Sequence, residues 1–384
     1  MRFPEFDGEW ESSELGVIAV LSKGSGISKE QKSEKGNPCI LYGELYTTYT
    51  TEIIDEVVSR TDLDPDDLVK SKANDIIIPA SGETAIDIST ARCVLNDDVM
   101  LGGDLNIIRL KEQDGCFFSY QLNGVRKKDI AKVAQGVSIV HLHGDSISHI
   151  KVNYPSKQEQ KKIASLLSLI DKRIVIQSKV IEDLKKLKAA IEDECFNQFK
   201  GKSVRLADIL DERIEKSVRN NQYQVLSSTV SGLYSQRDYF NKDIASADNT
   251  GYKILRRDDI VLSPQNLWMG NINYNNKFDI GIVSPSYKVF SIKPLYDSRF
   301  VASLLKNKKA LWEYSLVSEQ GASIVRRNLS MNSFMDIAFP IPNKEVQEKI
   351  GDAITNINRR IKLENEYLAS INRQKCYLLN SLFI

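Results

Sequence analysis

Pro155-Ser156-Lys157-Gln158-Glu159-Gln160-Lys161-Lys162-Ile163 returns 187 residues later as Pro342-Asn343-Lys344-Glu345-Val346-Gln347-Glu348-Lys349-Ile350. The match runs on: Ile170-Asp171-Lys172-Arg173-Ile174 is answered by Ile357-Asn358-Arg359-Arg360-Ile361, and Phe196 by Phe383. Alternating steps of four and three from Ile163 meet Leu167, Ile170, Ile174, Gln177, Ile181, Leu184, Lys188, Ile191 and Cys195. The same walk from Ile350 meets Ile354, Ile357, Ile361, Glu364, Leu368, Ile371, Lys375, Leu378 and Leu382. Such a sustained heptad seam is what underwound helices bury by knobs-into-holes packing. Each run begins just after a proline, where a helix loses no internal hydrogen bond, and only Gly351 interrupts either. Two helices of about 40 residues, or ~60 Å each, are predicted.

Both seams carry polar residues at the same heptad positions, Gln177 and Glu364, then Lys188 and Lys375. A buried polar layer costs stability but sets register. Each seam is the evident match of the other, so the helices are expected to pair within one chain. The seam alone allows parallel pairing. A pseudo-twofold relating the two halves would reverse one helix against the other, and the antiparallel coiled coil is the expectation. Fainter matches lie upstream: Ala134-Gln135-Gly136-x-Ser138-Ile139-Val140 with Glu319-Gln320-Gly321-x-Ser323-Ile324-Val325, and Asn74-Asp75-Ile76 with Asp258-Asp259-Ile260. Between these anchors the halves diverge. The domain plan is therefore a globular domain (1–154), a long helix (155–200), a second globular domain (201–341) and a second long helix (342–384). Shared ends with divergent middles suggest one scaffold presenting two recognition surfaces.

The fold class is α+β. Short β-rich runs between turn residues, such as Ile76-Ile77-Ile78-Pro79, Leu105–Leu110, Ile260-Val261-Leu262 and Tyr287–Ile292, dominate the globular parts. Phe300 to Ser315 has helical spacing and is expected to be one helix. The hydrophobic fraction of 42% and charged fraction of 27% are those of an ordinary folded protein. No apolar run approaches the ~20 residues of a spanning helix. The first six residues do not resemble a signal peptide, and the five cysteines are scattered without a C-x-x-C pair. A cytoplasmic protein with neither a disulfide framework nor a metal cluster is expected.

Catalytic signatures are not found. Gly24-Ser25-Gly26 lacks the third glycine of a dinucleotide fingerprint, and no strand is read before it, so it is taken as a turn. There is no phosphate-binding G-x-x-x-x-G-K-[ST] loop, and no Asn-Pro-Pro-aromatic or Asp-Pro-Pro-aromatic stretch of the kind amino-methyltransferases use. The chain is read as having no catalytic residues.

Net charge is +1, but it is unevenly spread. Met1 to Lys151 holds 16 basic and 25 acidic residues, whereas Lys216 to Ser333 holds 16 basic and 9 acidic. Nucleic-acid candidates accordingly concentrate in the second domain. Ser231, Tyr234, Gln236 and Arg237 share a stretch read as a loop. Gln265 and Asn266 follow a strand, and Lys253, Arg256 and Arg257 precede it. Amides can bind adenine bidentately and arginine guanine, while most Lys and Arg contacts go to phosphate. In the first domain the candidates are Lys23 (with the segment on to Lys29), Tyr42, Tyr46, Arg126, Lys127 and Lys128, and any DNA contact there needs a local basic patch. Each of these residues also suits a solvated surface. His141 and His143, expected to share a strand, align with Arg326-Arg327-Asn328 in the second half. Metal binding, nucleic-acid contact and an ordinary polar strand all remain open for the histidines; Arg326 and Arg327 join the DNA candidates.

These residues resemble a known family. Asn328-Leu329-Ser330, Pro340-x-Pro342, Gln347-x-Lys349-Ile350 and Ile357–Ile361, with their first-half counterparts, are similar to the conserved regions of type I restriction-modification specificity subunits. So are Arg2-Phe3-Pro4-Glu5-Phe6, Cys39–Tyr46 and Thr229–Leu233. The resemblance spans essentially the whole chain. It implies two target recognition domains, each reading half of a split double-stranded DNA site in the major groove, with the long helices as spacer and docking surface. It also implies partners: two methyltransferase subunits that use S-adenosylmethionine, and restriction subunits that use ATP and magnesium. No cofactor or metal is implied for this chain. Domains on one face of B-DNA would lie about one turn, ~34–36 Å, apart, a span the helices can impose. A coiled-coil adaptor with two protein-binding domains is the rival reading, favoured by the acidic first domain. A single-chain methyltransferase or nuclease is a third.

Overall fold

The structure, a computed structural model, describes residues 2–240, 248–320 and 326–383. It divides into two compact units, Met1–Lys179 with Asn365–Ile384, and Val180–Glu364. The first long helix is Lys157–Glu192, extended by a π-helical turn over Asp193–Gln198; the second is Lys344–Ser381. At 36 and 38 residues they are about 54 and 57 Å long. Every seam position is buried or half-buried.

Within the first unit, Ile163, Leu167 and Ile170 share a core with Ile371, Leu378 and Leu382, and with Phe117, Phe118 and Tyr120 of the globular domain. Asp171 meets Lys375 at 2.6 Å and Arg173 donates to the Tyr367 hydroxyl at 2.5 Å, so the paired segments run antiparallel. Within the second unit, Ile191 and Phe196 share a core with Ile350 and Ile354, beside Phe290, Phe300 and Phe334. The polar layer at Lys375 is an ion cluster: its ammonium lies 2.6 Å from both Glu52 and Asp171, and the Tyr120 hydroxyl donates to Asp171 at 2.7 Å. Burial raises the Glu52 carboxyl; Lys375 opposes that and Asp171 reinforces it. At Lys375 burial acts to lower the ammonium, but Glu52 and Asp171 together outweigh it and hold it raised.

The first domain is built on a five-stranded sheet in the order Ala19–Lys23, Leu105–Leu110, Asp75–Pro79, Arg92–Val94, Ile53–Ile54. It is antiparallel except for the last pair. Asp75–Pro79 is buried throughout, as its unbroken apolar run requires of a strand covered on both faces. The second domain repeats the first three strands as Leu210–Glu212, Lys288–Ile292 and Ile260–Leu262, and adds Ile272–Tyr274. In both domains a strand before the sheet pairs with the strand leading into the long helix: Glu11–Glu14 with Lys151–Tyr154, and Lys202–Arg205 with Ala338–Ile341.

Two side-chain devices explain why the shared residues are shared. Gln160 donates to the Pro155 carbonyl (2.8 Å) and accepts from the Asp114 amide (2.9 Å), the N-cap of helix Gly115–Asn123. Gln347 does the same with the Pro342 carbonyl (2.9 Å) and the Asp297 amide (3.0 Å), the N-cap of Ser298–Leu304. Each buried glutamine thus locks the start of a long helix to a helix of its domain. Asp75 and Asp259, also buried, accept from the backbone amides of Lys72 and Arg256 (2.7 and 2.8 Å), closing the same turn before equivalent strands. Each then takes a two-nitrogen bond from an arginine, Arg109 in one half and Arg213 in the other.

Four local expectations need correction. Phe300 to Ser315 is two helices, Ser298–Leu304 and Lys308–Leu316, because buried Asn307 accepts from the Ala310 amide at 2.8 Å and caps a new start. The stretch from Ser231 to Tyr239 is a hairpin followed by a short helix, not a loop. Lys253–Arg256 is itself a strand, paired with Ile280–Val283. A strand does precede Gly24, although only a three-residue 3-10 turn, Lys29–Gln31, follows Gly26. Of the upstream repeat, Gln135 bridges His141 as Gln320 pairs with Arg327, while Gly321, Ser323, Ile324 and Val325 lie outside the described residues.

Candidate nucleic-acid interface

In the first domain the segments 26–32 and 41–48, with Gly103 and Asp104, enclose an open cleft of about 880 Å³. Ser28 caps a short turn over Lys29–Gln31 on one wall, and Gly43 begins the helical turn Glu44–Thr47 on the other. Tyr42 lines the cleft, with Lys29, Lys32 and Thr48. The carboxylates on the wall are already engaged. Glu44 is buried and takes Lys32 (2.7 Å), the Leu41 amide (2.9 Å) and the Ser59 hydroxyl, while Asp104 accepts from Ser81 at 3.1 Å. Tyr46 stands half-buried beside the wall with its phenol raised by burial, and Lys23 is exposed at a strand end. Arg126, Lys127 and Lys128 lie elsewhere, at the start of helix Lys127–Val133. There Arg126 pairs with Asp129 (3.6 Å), burial and Arg92 lower the Lys127 ammonium, and Lys128 is exposed.

In the second domain the candidates form two groups. Ser231 is exposed at the turn of the hairpin Leu226–Thr229 and Gly232–Ser235. Tyr234, on that hairpin, stacks with Tyr239 (5.1 Å between centroids) and carries the Lys277 ammonium 5.0 Å from its ring, while Gln236 and Arg237 open the next helix. The other group sits on the turn Pro264–Met269, where Gln265 is exposed and Asn266 half-buried with an unpartnered carbonyl oxygen. There the Arg327 guanidinium lies 4.2 Å over the Trp268 ring, with Arg326 exposed alongside. Lys306, which the sequence reading passed over, joins the groups by donating to the Val230 and Gly270 carbonyls at 3.2 Å. Burial, aided by Lys188, lowers its ammonium.

The remaining candidates are held apart from these groups. Arg256 bonds Glu215 through two nitrogens (3.1 and 2.8 Å), Arg257 bonds Asp279 (2.9 and 2.7 Å), and Lys253 donates to the Tyr287 carbonyl at 2.6 Å. Their charge is largely spent within the domain. His141 is exposed on a two-residue strand, His143 precedes helix Gly144–Ser148, and His149 lies 3.1 Å from Glu14.

The sequence profile of the type I restriction modification DNA specificity domain matches residues 7–186 and again 203–373. The chain belongs to this specificity family. The type I restriction enzyme MjaVIII specificity subunit of Methanocaldococcus jannaschii is 22% identical over 430 residues, taking in 100% of this chain and 93% of that one. Among solved structures, the type I restriction-modification system S subunit of M. genitalium superposes with a TM-score of 0.64 at 18% identity, over 100% of this chain and 99% of that one. A chain from a structure of type I R-M complex assembly and conformational transition gives 0.54 at 12%, over 98% of each. These structures establish the shared fold, with its two domains and two long helices. Among the described residues no helix is long and apolar enough to cross a membrane.

Proposed function

We propose that this chain reads a bipartite, asymmetric DNA site, one half-site per domain, and holds methyltransferase and restriction subunits over it without performing chemistry. The observation that carries the reading is a duplicated scaffold with unlike reading edges. The Gln160 and Gln347 locks are the same. The exposed parts differ: a cleft with Tyr42 and Lys29 in one domain, the Tyr234 hairpin and the Trp268 turn in the other. Two unlike surfaces on one repeated frame suit two unlike half-sites. The basic balance of the second domain favours DNA over a protein partner.

The long helices also keep exposed apolar residues. Ile176 and Val180 on the first are exposed, as are Leu363 and Tyr367 at the equivalent heptad positions of the second. A repeated apolar pair of this kind suits docking of two like subunits, here the methyltransferases. S-adenosylmethionine, ATP and magnesium would then be held by the partners, with this chain acting in the cytoplasm where the DNA is. The test is the methylated-base map of DNA from cells that carry the methyltransferase with and without this chain. A split motif bearing N6-methyladenine that appears only with the chain is expected. An unchanged map, from a methyltransferase active with another specificity subunit, would refute the proposal.

A further inference from the structure

Two glycines on the first-domain cleft are not required by the fold around them. Neither Gly26 nor Gly43 has a left-handed φ. A Cβ on Gly26 would meet nothing within 4 Å, and on Gly43 only the Tyr46 hydroxyl oxygen at 3.9 Å, an ordinary contact. Gly24 is the contrast: a Cβ there would stand 2.0 Å from the Gly102 carbonyl oxygen, so the crossing of two chain segments demands it. Glycine where alanine would fit costs folding free energy, because the unfolded chain has more freedom to lose. That cost falls on Gly26, while Gly43, at the N-cap of the turn Glu44–Thr47, is a position that takes glycine readily. What the missing side chains do supply is clearance for something entering from outside.

The geometry points to the cleft between 26–32 and 41–48 as the seat of the first domain's half-site, where bare backbone at Gly26 and Gly43 admits base edges of a DNA duplex. This rests on the bipartite reading above and says which surface does the reading. The lining exposes the hydroxyls of Tyr42 and Thr48, which can donate or accept at a base edge. Lys29, exposed on the rim, is placed for phosphate. The domain is acidic as a whole, yet the wall carboxylates Glu44 and Asp104 are committed to Lys32, Ser59 and Ser81, which softens their repulsion of a phosphate backbone.

The experiment uses the chain assembled with its methyltransferase and three duplexes: one with the motif from the methylated-base map, and one with each half-site scrambled. Gly26→Trp and Gly43→Trp fill the cleft in space the protein leaves open, so both variants should melt near the wild-type temperature. Wild type should discriminate against both scrambled duplexes. Each variant should bind the intact motif about tenfold or more weakly. Each should also lose discrimination at the half-site read by the first domain and keep it at the other. Lys29→Glu should weaken binding to all three duplexes alike, and it carries the test should a tryptophan variant fail to fold. Folded Trp variants that keep full discrimination at both half-sites would overturn the cleft assignment while leaving the bipartite reading intact. So would a uniform loss of affinity with discrimination kept, or a Lys29→Glu variant that binds as wild type. If wild type itself discriminates against neither scrambled duplex, the bipartite reading falls, and the cleft assignment with it.

Discussion

Replacing Lys375 by Met keeps the side chain as far as Cε and removes the ammonium that Glu52 and Asp171 share. All three side chains are nearly out of solvent, at 13%, 8% and 5% exposure. Breaking a buried cluster by deleting one partner costs about 3–5 kcal/mol, since the charges left behind lose their direct partner and keep only the pull of the buried Arg92 guanidinium. For a unit of this size that is roughly 6–20 °C in melting temperature. The pH dependence has a defined sign. Glu52 is raised from its ordinary 4.5 chiefly by burial, so its ionisation costs stability as pH climbs above that value. Lys375 is raised from 10.5, so its contribution is present throughout the neutral range and fades only above 10.5. Without the ammonium the Glu52 penalty grows, and protonation relieves it. Thermal scans of wild type and Lys375→Met at pH 8 and pH 5.5 should show a large deficit at pH 8 that shrinks at pH 5.5. Adding Glu52→Gln to the variant should recover part of it at pH 8. A deficit below about 2 °C, or one equal at both pH values, would refute the account of a desolvated cluster.

Gln160→Leu and Gln347→Leu should each destabilise their own unit by about 1–3 kcal/mol, because a backbone amide and a proline carbonyl lose their partner. Hydrogen exchange should report the loss first at Asp114 in one case and Asp297 in the other; protection unchanged at both would remove the locking role. Asp259→Ala strips a turn amide and the Arg213 guanidinium of one shared acceptor, and a loss of about 2–3 kcal/mol is expected in urea denaturation, against near zero for a solvated carboxylate. One extra heptad in each long helix adds about 10 Å, or up to about three base pairs at 3.4 Å each. The methylated motif should then keep both half-sites and lengthen its gap, whereas a changed half-site would count against the helices as spacers.

The parts of this fold that were legible in the sequence are those whose signal is periodic or repeated. The seam from Ile163 to Cys195 predicted a helix because its spacing is local, and the second copy confirmed the register. The run Ile76–Ile78 predicted a buried strand for the same reason. The break at Asn307 was missed because its side chain acts as a cap inside an otherwise helical pattern. The partner of Lys375 could not be read either: Glu52 lies 323 residues away, and only the polar interruption of the seam hinted that something must answer the lysine. The candidate site was legible in residue type and not in assembly. Arg256 and Arg257 looked available until the structure set Glu215 and Asp279 against them. The cleft joins chain segments 26–32, 41–48 and 103–104, which no single motif connects.

The arginine that answers the turn aspartate comes from a different segment in each half. Arg109 lies on Leu105–Leu110, between the strand of Asp75 and the edge strand Ala19–Lys23, where it faces Val20 and where Ser22 faces Ile107. In the second domain the strand place of Arg109 is held by Ser291 and that of Ser22 by Arg213, so arginine and serine have traded strands around an unmoved carboxylate. Lined up residue by residue, the two copies show two unrelated differences, each a loss of charge in one half. Viewed around Asp75 and Asp259, they are a single compensated exchange. Any stepwise route between the two arrangements passes through a chain with both arginines or with neither, and only the first leaves no orphaned carboxylate. Ser22→Arg in the first domain would set a second guanidinium at this turn and leave no carboxylate orphaned.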